Sequence, residues 1–318
     1  MGSGMSGATP WPGWLVEATD STPVELVAAT TIRRRLDVVW SELDAVGRAP
    51  GDADAVHRLR VATRRTRAAL DAFEDLLPRR RAAWFKRQLA EIRRTAGDAR
   101  DLDILAERLT VKPGAVAPPE SSAAAARSRL VAMLARQRDL SREPIRDLRE
   151  RLAAAGWEAR SHDMVSRIRR GGKPASLADY ARRRFKPLAD RFFEKAGHRL
   201  RDDDDVHRLR IAGKKFRYAL EIFSPALPKP ALSRCQKELA RLQETLGEFT
   251  DHASAADRFR RLSRAGGPGL DRTTLDELSR RESRLATTAR KAFVKWWDGR
   301  RRRQLRRSIR RSLCRRPA

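Results

Sequence analysis

Asp54-Ala55-Val56-His57-Arg58-Leu59-Arg60-Val61-Ala62-Thr63-Arg64-Arg65-Thr66-Arg67-Ala68-Ala69-Leu70-Asp71-Ala72-Phe73 returns 150 positions later as Asp204-Asp205-Val206-His207-Arg208-Leu209-Arg210-Ile211-Ala212-Gly213-Lys214-Lys215-Phe216-Arg217-Tyr218-Ala219-Leu220-Glu221-Ile222-Phe223. From the histidine to the phenylalanine, nine of seventeen positions are identical and four more are conservative. The register holds beyond the repeat, since Leu77-Pro78 is matched by Leu227-Pro228. A repeat of this length marks duplicated halves of a fold.

The surrounding composition favours helix. Alanine, leucine and arginine dominate, whereas aromatics make up only 6% of the chain, and no alternating strand pattern stands out. With 318 residues and 41% apolar content the chain can bury substantial cores. The formal charge of +29 exceeds what solubility needs and points to a polyanionic partner. Cys235 and Cys314 offer neither a disulfide framework nor metal-ligand spacing. Neither a signal peptide nor a membrane-spanning run is expected, which places the protein in the cytoplasm.

The expected fold is all-α, with roughly four or five helices in each half, which suggests two helical bundles. The reading divides the chain into a flexible lead over 1–21, a first bundle over 22–170, a second over 171–297 and an arginine-rich tail over 298–318. Helices are predicted from Val24 to Val46, with Leu26, Ala29, Ile32, Leu36, Val39 and Leu43 on one stripe and Arg33, Arg34 and Arg35 on the polar side. Ala49-Pro50-Gly51 breaks the chain, and Asp52 or Asp54 can cap the helix that follows. A third helix is predicted to stop at Ala96, with Gly97 as the break, and its copy to stop before Gly247. Residues 110–120 read as a loop, Gly171-Gly172-Lys173-Pro174 as the hinge, and Gly266-Gly267-Pro268-Gly269 as a late break.

Winding the repeated stretch at helical pitch gives three faces. Leu59, Ala62, Thr66, Ala69, Leu70 and Phe73 form an apolar stripe, and Val61, Ala68 and Ala72 a weaker one opposite. Between them run His57, Arg60, Arg64 and Arg67; the copy supplies His207, Arg210, Lys214 and Arg217. Like charges three and four apart destabilise a helix by a few tenths of a kcal/mol per pair, roughly. A helix packed on two sides therefore presents its basic stripe as the wall of an anion-lined groove. The alternatives are carboxylates supplied by neighbouring helices, or a compositional bias toward arginine. Weaker basic candidates are Arg33, Arg34, Arg58, Arg65, Lys86, Arg93, Arg100, Arg183, Arg184, Arg208 and Lys215.

Val56 to Arg65, followed by Gly97-Asp98-Ala99-Arg100-Asp101-Leu102-Asp103, resembles the two motifs of the CHAD domain family, with less strict copies at Val206 to Phe223 and Leu246 to Asp251. The resemblance covers about residues 22–297. It implies a pair of four-helix bundles related by a pseudo-twofold around a basic central channel, binding of inorganic polyphosphate, and association with polyphosphate granules. On it, the eight stripe residues would line the channel. The triphosphate-processing activity of some relatives is not implied, because the chain has no Glu-x-Glu-x-Lys motif.

The function expected is thus non-catalytic polyphosphate binding, with no cofactor and no metal. Nucleic-acid binding is the alternative, carried chiefly by the tail, whose ten arginines from Gly299 onward suit nucleic acid or another anionic surface. A metal-dependent phosphohydrolase is the third reading; Asp202 to Asp205 with His207 is the nearest approach to a ligand cluster, and it reads equally as a helix cap and charge screen. Each histidine stands either as an anion contact near a helix N-terminus or as an internal hydrogen-bonding group that orients its neighbours.

Overall fold

The computed structural model describes residues 18–48, 52–110, 122–168, 175–197, 202–266 and 270–314. The break at Ala49-Pro50-Gly51, the loop over 111–121, the hinge Gly171–Pro174, Gly267–Gly269 and the lead up to residue 17 lie outside the described residues. Among those described, the chain is helical, with no strand beyond an isolated bridge between Pro23 and Ser176. The helices are α1 (Val24–Arg48), α2 (Ala53–Ala72), α3 (Arg79–Thr110), α4 (Ser122–Leu140), α5 (Glu143–Ala154), α6 (Trp157–Ser166), α7 (Leu177–Gly197), α8 (Asp203–Ile222), α9 (Lys229–Ala265), α10 (Arg272–Trp296) and α11 (Gly299–Cys314). The starts of α2 and α8, of α3 and α9, and of α4 and α10 are each 150 residues apart, so the offset read in one helix governs three.

Aspartate is the recurrent starter. Asp52 Oδ1 accepts from the backbone N–H of Asp54 at 2.8 Å and of Ala55 at 3.1 Å. Asp202 caps α8 through the N–H of Asp205, Asp271 caps α10 through that of Thr274, and Asp298 caps α11 through that of Arg301. Each occupies N–H donors that a helix start leaves unpaired. The acidic run before His207 is thus a cap, joined by the Arg208–Asp205 pair at 2.7 Å.

Two expectations about helix ends are corrected. Gly97 and Gly247 interrupt nothing, for α3 continues through 32 residues and α9 through 37. An interior glycine costs a helix only about 1 kcal/mol, and packing on both sides of these helices outweighs that. The predicted tail is also not free: Leu305 and Ile309 of α11 are buried, and Arg301 pairs with Glu238 of α9 at 3.1 Å. The end of the lead is likewise tied down, with Asp20 and Thr22 carbonyls accepting from Ala178 and Leu177.

The apolar core does not follow the sequence halves. One continuous cluster takes in α1, α2, the first part of α3, α5 to α8, the first part of α9, the end of α10 and α11. A smaller one joins Leu102, Leu105 and Leu109 of α3 to Leu130 and Leu134 of α4, Ala255 and Phe259 of α9 and Leu275 of α10. The halves therefore share both cores instead of each closing around its own. At their junction Phe73 meets Phe223 edge-on and Tyr180 in a stacked arrangement, both with centroids 6.0 Å apart. The Tyr180 hydroxyl donates to Asp75, fixing the start of the second half on the end of α2.

Candidate functional site

The repeated helices behave largely as their angular pattern predicts. Leu59, Ala62, Thr66, Ala69, Leu70 and Phe73 are buried, as are Leu209, Phe216, Ala219, Leu220 and Phe223. The second apolar stripe is packed only toward the C-terminal ends: Ala72, Tyr218 and Ile222 are buried, but Ile211 is 42% exposed. The basic stripes are half-buried at Arg60, Arg64, Arg210, Lys214 and Arg217, and exposed at His57, Arg67 and His207.

What pattern could not show is that the two stripes converge. Arg64 of α2 acts electrostatically on both Arg210 and Lys214 of α8. Burial is the largest cause lowering the Lys214 ammonium, followed by Arg210 and Arg64, and together they bring its pKa to about 7. Burial and Arg64 also lower Arg210, with Asp251 at 3.8 Å offsetting part of the effect. The Nε groups of Arg64 and Arg210 are buried and find no acceptor. Donors are thus gathered and partly dehydrated, and two of their buried N–H groups lack a protein acceptor, the arrangement an anion would complete.

The first half extends this basic seam. Arg60 donates to the Arg93 carbonyl at 3.0 Å; burial lowers its pKa first, then Arg64, Arg93 and Arg100, while Asp101 opposes them. His57 retains an exposed edge, yet withdrawal from water lowers its pKa, and Arg100, Arg64 and Arg60 add to that. His57 is therefore harder to protonate than a free imidazole, and Lys214, brought to about 7, is the seam group placed to change charge near neutrality. We expect polyanion affinity to fall about tenfold from pH 6 to pH 8, because binding draws a proton onto Lys214. Lys214→Arg should flatten that profile, since arginine stays charged throughout; titration calorimetry at several pH values measures both.

The outer members of the stripes are engaged differently. Arg67 Nε lies 3.2 Å from both carboxylate oxygens of Asp71, and Arg217 lies 3.9 Å from Glu221 and over the Tyr218 ring. Of the weaker candidates, Arg93 and Arg100 face the seam. Arg58 is held by Glu42 and Asp52, Lys86 by Asp71 and Glu74, Arg208 by Asp205, and Arg33 by Asp37. Arg34 is exposed. Arg184 donates to the carbonyls of Asp71 and Ala72, whereas Arg183 and Lys215 border a separate groove among α2, α7 and α8. Arg65 pairs with Glu221 at 3.2 Å.

Three residues went unassigned in the sequence. Asp101 and Asp251 oppose Arg60 and Arg210 at the same 150-residue offset, and both lie in the repeated second motif, which was the available signal. Arg35, placed on the polar side of α1 by its neighbours Arg33 and Arg34, is in fact buried on the apolar stripe, 3.7 Å from Glu221. Burial lowers its pKa to about 10 despite that partner. Glu221 thereby gathers Arg35 and Arg65 from the first half and Arg217 from the second.

The model of the CHAD domain matches residues 30–260. The chain belongs to the CHAD domain family. Among solved structures, the CHAD domain from the plant Ricinus communis aligns at a TM-score of 0.65 and 20% identity, covering 96% of this chain and 97% of that one. PptA from Streptomyces chartreusis aligns at 0.56 and 19%, covering 87% and 99%. At these identities the likeness is one of fold. No curated relative matches the chain by sequence. In this CHAD protein, among the described residues, no group of three or more histidine, cysteine or acidic side chains is placed to hold a metal, and no helix is long and apolar enough to cross a membrane.

Proposed function

We propose that this CHAD protein binds inorganic polyphosphate without turning it over, in the cytoplasm at polyphosphate granules. The polymer lies along the seam where α2 meets α8. His57, Arg60, Arg64, His207, Arg210 and Lys214 face it, while Arg67 and Arg217 flank it. The observation that carries this reading is the convergence of Arg64 with Arg210 and Lys214 across the two halves. Folding forces these like charges together, and a chain of phosphate oxyanions relieves the repulsion while satisfying their N–H groups. Arginine forks and a lysine point charge suit closely repeated phosphate oxygens. No phenylalanine, tyrosine or tryptophan is among these seam residues to stack a base, which favours a polymer without bases.

Binding should be strongly salt-dependent. With about four phosphate contacts, the logarithm of affinity should fall with the logarithm of salt at a slope near −3, roughly −0.7 per contact. Fluorescence anisotropy of labelled long-chain polyphosphate over a salt series gives the slope, and salt-insensitive binding would overturn the electrostatic reading. Unlabelled single-stranded DNA should compete poorly at equal phosphate concentration. Orthophosphate should not appear on incubation with divalent metals; its steady release would make the protein a hydrolase instead.

A further inference from the structure

Helix α11 has two chemically different sides. At about 100° per residue, Arg301, Arg302, Leu305, Arg306 and Ile309 share the side turned to the protein. Leu305 and Ile309 are buried there, Arg301 pairs with Glu238, Arg302 donates to the Ala196 carbonyl at 2.8 Å, and Arg306 lies over the Phe193 ring. The opposite side carries Arg300, Arg303 and Arg307, all exposed. They face Arg234, also exposed, from the second turn of α9, and enclose with Gln304 and Ser308 a cleft of about 780 Å³. No carboxylate and no aromatic ring is among its lining residues. Most of the lining, all that α11 supplies, stands outside residues 30–260, where the family match lies, because α11 begins at Gly299; Arg234 lies within them.

We propose that this cleft is a second binding site, separate from the seam, for a short run of condensed phosphates. Four guanidinium groups around one concavity, with no acid among the described residues that line it, form a site for several adjacent oxyanions. Its concave, ring-free lining offers nothing for bases to stack on, so it fits phosphate oxygens better than a nucleic-acid strand. Leu305 and Ile309 of α11 are not available for insertion into a lipid surface, since both are already covered by α7 and α9. The choice of inorganic polyphosphate among phosphate polymers rests on the function proposed above; the existence of the site does not. A long polymer that reaches both sites binds more tightly than either allows alone, through effective concentration.

Titration calorimetry on the full chain at physiological salt tests this with inorganic tripolyphosphate, too short to bridge sites. The wild type should bind two equivalents. R303Q/R307Q should lose one and keep the other, and R64Q/K214Q should show the reverse. With long-chain polyphosphate, R303Q/R307Q should bind about tenfold more weakly. R234Q, which leaves α11 unaltered, should weaken the same site and so separates ligand contact from undocking of the helix. A single wild-type equivalent that R303Q/R307Q leaves intact would overturn the cleft. Two equivalents that both survive R64Q/K214Q would instead remove the seam while leaving the cleft standing. If poly(dT) bound the cleft more tightly than polyphosphate of equal phosphate content, the assigned ligand chemistry would be wrong.

Discussion

Replacing Arg64 and Lys214 together by glutamine should lower the affinity of the seam for polyphosphate by about a hundredfold or more. Each is a charged donor in a partly dehydrated setting, where a hydrogen bond to an anion contributes roughly 1.5–3 kcal/mol. Two such losses amount to about 3–6 kcal/mol, which corresponds to roughly 10²–10⁴ in affinity. The substituted protein should be no less stable than the parent. Arg64 and Lys214 repel one another and Arg210, so uncharging them relieves strain within the fold. Calorimetric titration with tripolyphosphate reads the seam, and thermal unfolding reads stability. Affinity unchanged within twofold would remove the seam as the site, whereas a fall in affinity accompanied by unfolding would make these residues structural.

The second large effect concerns the junction of the halves. Glu221→Gln should destabilise the protein by about 3 kcal/mol, the magnitude expected when one partner of a buried ion pair is removed. Glu221 is only 5% exposed, and Arg35, Arg65 and Arg217 converge on it. Without its charge, Arg35 stays buried beside Arg65, whose positive charge already opposes its own. Denaturant unfolding at pH 7 measures the loss. Adding Arg35→Met should restore much of it, because an apolar side chain of similar length fills the site without a charge to desolvate. An E221Q protein as stable as the parent would show that Glu221 does not hold the halves together.

The histidines illustrate how far sequence reading reached. Their place at the head of each basic stripe was legible from spacing alone, as were the apolar stripes and the aspartate caps before the two repeated helices, though not those at Asp271 and Asp298. Helix formation and capping depend on residues within about four positions of each other, and that information is written locally. Arg35 shows where local reading fails. Its neighbours Arg33 and Arg34 are exposed, and nothing within one helical turn reveals that Glu221, 186 residues away, waits opposite it. Gly97 and Gly247 fail for a related reason: an intrinsic preference near 1 kcal/mol is readily overridden by packing that the local pattern does not specify.

By itself, then, the amino-acid sequence determined an all-helical chain, its 150-residue duplication, and which faces of the repeated helix are apolar and which basic. Only the tertiary structure decided that Arg64 meets Arg210 and Lys214, that the halves share their cores, and that the arginine-rich end docks as α11 with one arginine face left open. The physical reason is distance along the chain. Periodicity fixes how a residue is turned about its own helix axis, but which charges end up facing one another depends on how remote apolar surfaces find each other, and that is settled only when the helices pack.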